Sequence, residues 1–380
     1  MTRRELLAAI SAAAATPLLK GAAADAETAP VAPVSIAKCA TYDDDVTGAL
    51  KAMFDQLGGI DRLVRNKTVT IKVNMTGPPS TRLNNLAPAI THYTHPKLMG
   101  AAAYLMGRAG AKRIRFVESA WAGAGPLEDV MVKSGWDVGA LQSAAPKVEF
   151  ENTNALGTGK RYARFMVPGS GAYMYPGYEM NQAFDDTDVF VSMAKLKNHA
   201  TCGVTLSLKN CFGSLPASIY GDDSGVDEPN ENPKSGRGAV GHEGKRQPSK
   251  SAPQELHFGT NHEAGSRVSR IVADLAVARP IHLAIIDGVE TVAGGEGPWV
   301  GKLRPIKPGI LIAGTNPVCT DAVAAAAMGY NPRASRGTAP FTNCENTLML
   351  TEAHGVGSTD LRRIEVRGVP IEKAMFRFQA

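Results

Sequence analysis

Apolar and polar residues recur with two periods along this chain of 380 residues. "TVTIKVNM" (68–75) sets β-branched residues against polar ones at every second position and ends in a polar loop, the pattern of a strand. "HPKLMGAAAYLMGRAGAK" (95–112) follows with a helical pattern, Pro96 near its start and Gly110 near its end. "RIRFVES" (113–119) returns to strand. Strand, loop, helix and strand in that order predict parallel strands joined by a crossover helix.

The same reading continues downstream. "DVFVSMAKLK" (188–197) predicts a strand, "SRVSRIVADLAVAR" (266–279) an amphipathic helix and "HLAIIDGVE" (282–290) a buried strand. "PGILIAGTNPVCTDAVAAAAMGY" (308–330) predicts strand, turn and an Ala-rich helix opened near Asp321, and "RRIEVRG" (362–368) a last short strand. "GVTLSLKNCFG" (203–213) fits either period. Residues 221–264 are rich in Gly, Pro, Ser, Asn and charge and lack apolar periodicity; so long a polar segment is either disordered or a functional lid. The expected fold is α/β: mostly parallel sheet with flanking helices, two closely packed lobes and a long polar insertion, with residues 27–380 forming one unit.

The first residues have a pattern of their own. "MTRRELLAAISAAAATPLLKGAAADAE" joins Arg3-Arg4 to an Ala-rich apolar run and the Ala24-Asp25-Ala26 cleavage pattern, so residues 1–26 are expected to be a signal peptide. Its "TRRELL" start resembles the twin-arginine signal, which implies export in the folded state, the twin-arginine machinery as a partner and a periplasmic or secreted mature protein. No later run reaches the roughly 18 apolar residues of a membrane span, so no transmembrane segment is expected in the mature chain.

Composition narrows the function. With 41 basic and 36 acidic residues the formal net charge is +5, and no basic run interleaved with aromatics occurs, which argues against nucleic acid. The five cysteines include no C-x-x-C pair, so no iron–sulfur cluster or cysteine zinc site is expected. The frames of a phosphate loop, a dinucleotide fingerprint and a serine-hydrolase elbow are all missing.

Candidate chemistry gathers in "AKLKNHATCGVTLSLKNCFG" (194–213), where Lys195, Lys197, His199 and Lys209 stand among small and apolar residues. A solvated face would scatter such charges and a core would exclude them, so the segment is expected to line a cleft that receives an anion. Lys72 and Asn74 at one strand end, with Lys195, Lys197 and Asn210, are the expected substrate-binding residues. His199, Lys209 and Asp287 are the expected catalytic groups, and Lys209, in an apolar run, is either an anion anchor or a nucleophilic amine. Glu118, Glu296 and Asp321, at or beyond strand ends, either ligate a divalent metal or serve as acid and base.

Five segments, "VTIKVNM", "THPKLMGAAAYLMGRAGAKRIRFVES", "DVFVSMAKLKNHATCGVTLSLKNCFG", "IIDGVETVAGGEGPWVG" and "GTNPVCTDAVAAAAMGYNP", resemble in this order the family known as domain of unknown function 362. The resemblance implies a fold and a site region but no reaction. A local likeness links His199 to Asn210 with the His…Gly-x-Thr-Gly-Gly-Arg-Lys segment of nickel-pincer lactate racemases. It makes Lys209 the counterpart of their cofactor-holding lysine, with Leu206, Ser207 and Leu208 in place of Gly-Gly-Arg. The resulting expectation is an exported enzyme acting on a small anionic, carboxylate-bearing molecule. The alternative is a non-catalytic binding protein using the same cleft.

Overall fold

The computed structural model describes residues 28–156, 161–169 and 171–379. The expected signal peptide lies outside them.

Eight strands form one sheet: β1 (Val34–Lys38), β2 (Thr68–Lys72), β3 (Arg113–Glu118), β4 (Val148–Asn152), β7 (Val189–Lys195), β10 (Leu283–Gly288), β13 (Ile310–Gly314) and β14 (Val366–Gly368). Three two-stranded ribbons accompany it: β5 (Tyr162–Met166) with β6 (Gly177–Asn181), β8 (Lys197–His199) with β9 (Gly203–Thr205), and β11 (Thr291–Ala293) with β12 (Arg304–Ile306). The sheet order is β14-β1-β13-β10-β7-β2-β3-β4. Every neighbouring pair is parallel except those made by β13, which runs against both β1 and β10. The mostly parallel α/β sheet is therefore as the hydrophobic pattern predicts.

Alternation along the buried strands fills two apolar layers, one on each face. Val189, Val191 and Met193 of β7 and Leu283 and Ile285 of β10 join the layer of helices α1 (Val46–Gln56) and α2 (Pro96–Arg108), through Leu50, Met53, Phe54, Leu98 and Met106. Phe190 and Ile286 face the other way, toward Val268, Ile271 and Leu275 of the helix Ala264–Ala278 and Val318 and Val323 of the helix Pro317–Ala327. Both apolar layers share this one sheet.

The ambiguous stretch splits. Gly203–Thr205 closes the β8–β9 ribbon and Ser207–Asn210 forms a single helical turn, α3. The helices Ala264–Ala278 and Pro317–Ala327 are α4 and α5. Five cysteines, all buried, are free.

The direction of β13 corrects the expectation that Asp321 follows a strand end on the same edge as Glu118. Ile310 pairs with Gly288 and Gly314 with Ala284, so β13 ends at the edge where β10 begins. Asn316, the N-cap of α5, therefore lies at the opposite edge from Lys72 and Glu118.

Candidate functional site: a cationic cavity at the strand ends

A cavity of about 500 Å³ opens beyond the carboxyl ends of β2, β3 and β7. Its wall carries five cations, Lys72, Lys197, Lys209, Lys234 and Arg237, and two carboxylates, Glu118 and Glu296. His199, His242, Asn74, Asn210 and the rings of Trp121, Phe212 and Trp299 complete it.

One cation is neutralised. Lys72 Nζ lies 2.7 Å from Glu118 Oε1 and donates to the Val73 carbonyl and to Asn210 Oδ1. Glu118 Oε2 accepts the Met75 amide at 2.7 Å. Asn210 ties the floor together by donating to the Lys72 carbonyl and Ser192 Oγ. Gly213 is required beside this pair: a Cβ there would sit 2.9 Å from Lys72 Nζ and 3.0 Å from Glu118 Oε1.

The other cations lack such a partner. Lys197 Nζ, fully buried, donates to two neutral carbonyls, His92 O at 2.9 Å and Glu296 O at 2.8 Å. Burial, with Lys195 and Lys209 nearby, pushes its ammonium down to about 7. Lys209 Nζ sits 4.5 Å above the Phe212 ring, and burial, aided by Lys72 and Arg237, lowers its pKa as well. Arg237 donates from Nε to the Leu215 carbonyl and from Nη2 to Asn154 Oδ1 at 2.7 Å. Among the described residues none of these three has a carboxylate within ion-pair distance. The Glu296 carboxylate is occupied by Trp299 Nε1 at 3.0 Å and the Ala200 amide at 2.9 Å.

Backbone contacts fix the tautomers of the two histidines. His199 Nδ1 accepts the amides of Thr201 at 3.1 Å and Cys202 at 3.3 Å. An amide can only donate, so Nδ1 carries no proton and Nε2 does. Burial and the charges of Lys209 and Lys197 hold this imidazole well below its ordinary pKa. His242 is the mirror case: its Nδ1 meets the Arg237 carbonyl at 3.1 Å, which can only accept. Its proton is on Nδ1 and its Nε2 keeps a lone pair, and burial lowers its pKa too. The cavity thus holds one neutral imidazole that donates and one that accepts.

Lys72, Asn74, Lys197, His199, Lys209, Asn210, Glu118 and Glu296 all line the cavity. Lys195 and Asp287 do not. Val189, Val191 and Met193 establish which face of β7 Lys195 shares, the α1–α2 layer, whereas Lys72 alternates with Ile71 and Val73 onto the other. There Lys195 and Asp287, both fully buried, pair at 3.1 Å, and Tyr42 bridges them by accepting from Lys195 and donating to Asp287. The His95 amide donates to the same carboxylate, and the Tyr42 and His95 rings stack at 3.5 Å. Asp287 is a structural ion-pair member, not a cavity residue.

Asp321 is also elsewhere. It accepts from the Ser207 amide and hydroxyl and the Leu208 amide, capping α3 from α5. Burial pushes its carboxyl up to about 7 against these donors. With Glu118 held by Lys72 and Asp321 at α3, the proposed trio of metal ligands does not converge. Among the described residues no group of three or more His, Cys, Asp or Glu is placed to hold a metal ion. The segment likened to the nickel-pincer racemases puts Lys209 in the cavity, but the amides of Ser207 and Leu208 before it are already taken by Asp321. Among the described residues Glu118, Glu296 and Asp321 do not assemble a metal site.

Lys234, Arg237 and His242 come from the polar insertion, which roofs the cavity; the pattern marked the segment but not these residues. Trp121 and Trp299 follow strand ends and carried no periodic signal.

Residues 69–326 match the family model described as Domain of unknown function (DUF362). The chain belongs to this family. A thylakoid-associated protein of Synechocystis sp. is 26% identical over 189 residues, covering 49% of this chain and 51% of that protein. The chain thus spans about half the length of that curated relative. Among solved structures, the lactate racemase apoprotein of Thermoanaerobacterium thermosaccharolyticum shares 11% identity at a TM-score of 0.36, covering 73% of this chain and 54% of that one. A Thermotoga maritima protein shares 15% identity at a TM-score of 0.29, covering 45% and 38%. The match to DUF362 spans β2 through most of α5 and so contains the sheet-end wall of the cavity and the insertion. Among the described residues no helix is long and apolar enough to cross a membrane.

Proposed function

We propose that the protein is an enzyme that binds a small carboxylate-bearing anion in this cavity and acts on it by acid–base chemistry. The observation that carries the reading is the set of three cations, Lys197, Lys209 and Arg237, turned on one cavity with no carboxylate in ion-pair contact among the described residues, Glu296 and Glu118 acting on them only from farther away. Desolvated cations that share no counter-ion repel one another, and an anionic ligand supplies the missing charge. His242, through its Nε2 lone pair, is the base, and His199, through Nε2–H, donates to an oxygen of the ligand. The expected catalytic role of His199 narrows in this proposal to that of a donor, because its Nδ1 lone pair is spent on two amides.

The Ala24-Asp25-Ala26 pattern and the paired arginines support export to the periplasm or beyond as part of the same proposal. The test of the enzymatic reading is a screen of hydroxy, keto and dicarboxylic acids for racemisation, elimination and hydrolysis, run with calorimetric binding. Turnover that His242→Asn abolishes while binding persists supports it. Binding without turnover of any acid assigns the cavity to a solute-binding protein, and no binding of any acid overturns both.

A further inference from the structure

Arg237 differs from the other cations of the cavity in origin and in how it is held. Lys72 and Lys197 are carried on the strand-end segments, and Lys209 on α3, which packs against the sheet. Arg237 arrives with the polar insertion. Two of its nitrogens are anchored by neutral oxygens, Nε by the Leu215 carbonyl and Nη2 by Asn154 Oδ1. Among the described residues Nη1 has no hydrogen-bond partner and the guanidinium has no ion pair. A guanidinium oriented at two points, with its third nitrogen unpaired and Glu118 and Asp222 acting on it only from beyond ion-pair distance, is a preformed receptor for an oxyanion.

The same cavity already holds Lys209 and Lys197 without an ion pair. One carboxylate placed against them leaves Arg237 unsatisfied. We propose that Arg237 reads a second negative charge, so that the cavity prefers dianions, dicarboxylates or phosphate monoesters, over monoanions. This rests on the anion-binding reading above and adds to it the charge of the ligand and the residue that selects it. The volume of about 500 Å³ and the rings of Trp121, Phe212 and Trp299 leave room for a spacer between two anionic ends.

Calorimetry at fixed ionic strength with propionate, succinate and glycerol 3-phosphate tests this on the full mature chain. Succinate or glycerol 3-phosphate should bind at least about tenfold more tightly than propionate, the worth of one charge-assisted contact. Which of the two dianions leads distinguishes a carboxylate from a phosphoryl end. Arg237→Gln should erase the preference by weakening the dianions alone, and Arg237→Lys, which keeps the charge, should retain part of it. Circular dichroism establishes that each variant is folded, and the two variants together separate loss of charge from loss of the Leu215 and Asn154 anchors. Propionate binding as tightly as succinate, or Arg237→Gln weakening both acids equally, overturns the selection of dianions while leaving anion binding intact. If none of the three binds, the cavity reading fails and the inference fails with it.

Discussion

At the residue scale, the lysines of the 194–213 segment have opposite duties, and substitution should separate them. Lys209→Ala removes a charge-assisted contact worth about 1.5–3 kcal/mol, so anion affinity should fall roughly ten- to a hundredfold. Melting temperature should hold or rise, because an unpaired desolvated ammonium is a liability to the free protein. Lys302, exposed in a turn, is the control and should change neither. Asp287→Ala should do the reverse. It strands Lys195 in a fully buried pair, at a cost of about 3–5 kcal/mol, which denaturant titration reads, while anion affinity in the folded fraction stays put. Nothing in "DVFVSMAKLK" or "HLAIIDGVE" distinguishes these roles one residue at a time. The alternation of faces does so once Val191 and Ile71 are known to pack together, and that is a property of the sheet.

A pH profile belongs to the same scale. Lys197 is charged below about 7 and neutral above it, whereas the unfolded chain holds that proton to about 10.5. Anion affinity should therefore fall as pH rises through about 7. Burial shifts His199 and His242 downward from their ordinary values, so neither accounts for a loss of charge centred near 7. Lys197→Met should lower affinity at acidic pH and flatten the profile. For stability the sign is opposite: between about 7 and 10.5 the unfolded state binds the extra proton, so this group's contribution to stability rises with pH. A wild-type affinity that is flat from pH 6 to 8.5, a range chosen roughly around that midpoint, would remove Lys197 from the ligand.

At the element scale, α3 is a single turn whose position depends on Asp321 across from it. Its first amides would otherwise be orphaned in the core, so Asp321→Ala should cost at least about 2 kcal/mol. Because Lys209 and Asn210 ride on this turn, anion binding should weaken along with stability, measured by melting and calorimetry on the same sample. Elements with a repeating pattern were legible in the chain: the strands at 68–75, 113–119, 188–197 and 282–290 and the helix at 266–279 all form. The direction of β13 was not, because a five-residue apolar strand reads the same either way. Its reversal puts the start of α5 at the opposite edge, and Asp321 caps α3 instead.

At the scale of the whole molecule, the insertion at 221–264 has almost no apolar anchors, yet it supplies Lys234, Arg237 and His242 to the cavity. Its fold is set by polar contacts, half-buried ones such as Ser249 Oγ to the Gly225 carbonyl and Arg246 to the Ser224 carbonyl and exposed ones such as Asp222 with the Ala239 amide and Asp223 with the Lys234 amide. Those contacts leave no periodic trace, which is why the segment was recognisable as a lid candidate while its functional residues were not. Filling the cavity should protect amides at 234–242 from hydrogen exchange, and unchanged exchange on adding a saturating dianion would show that the roof does not respond to ligand.

The central claim is that one cationic cavity beyond the ends of β2, β3 and β7 receives an organic anion. Crystals of the protein soaked with 4-bromobenzoate locate such an anion by the anomalous scattering of its bromine. The account predicts a bromine peak inside this cavity, with the carboxylate against Lys209 or Arg237 and the ring beside Trp121, Phe212 or Trp299. A bromine bound at full occupancy elsewhere on the molecule, with this cavity holding only solvent, would contradict it.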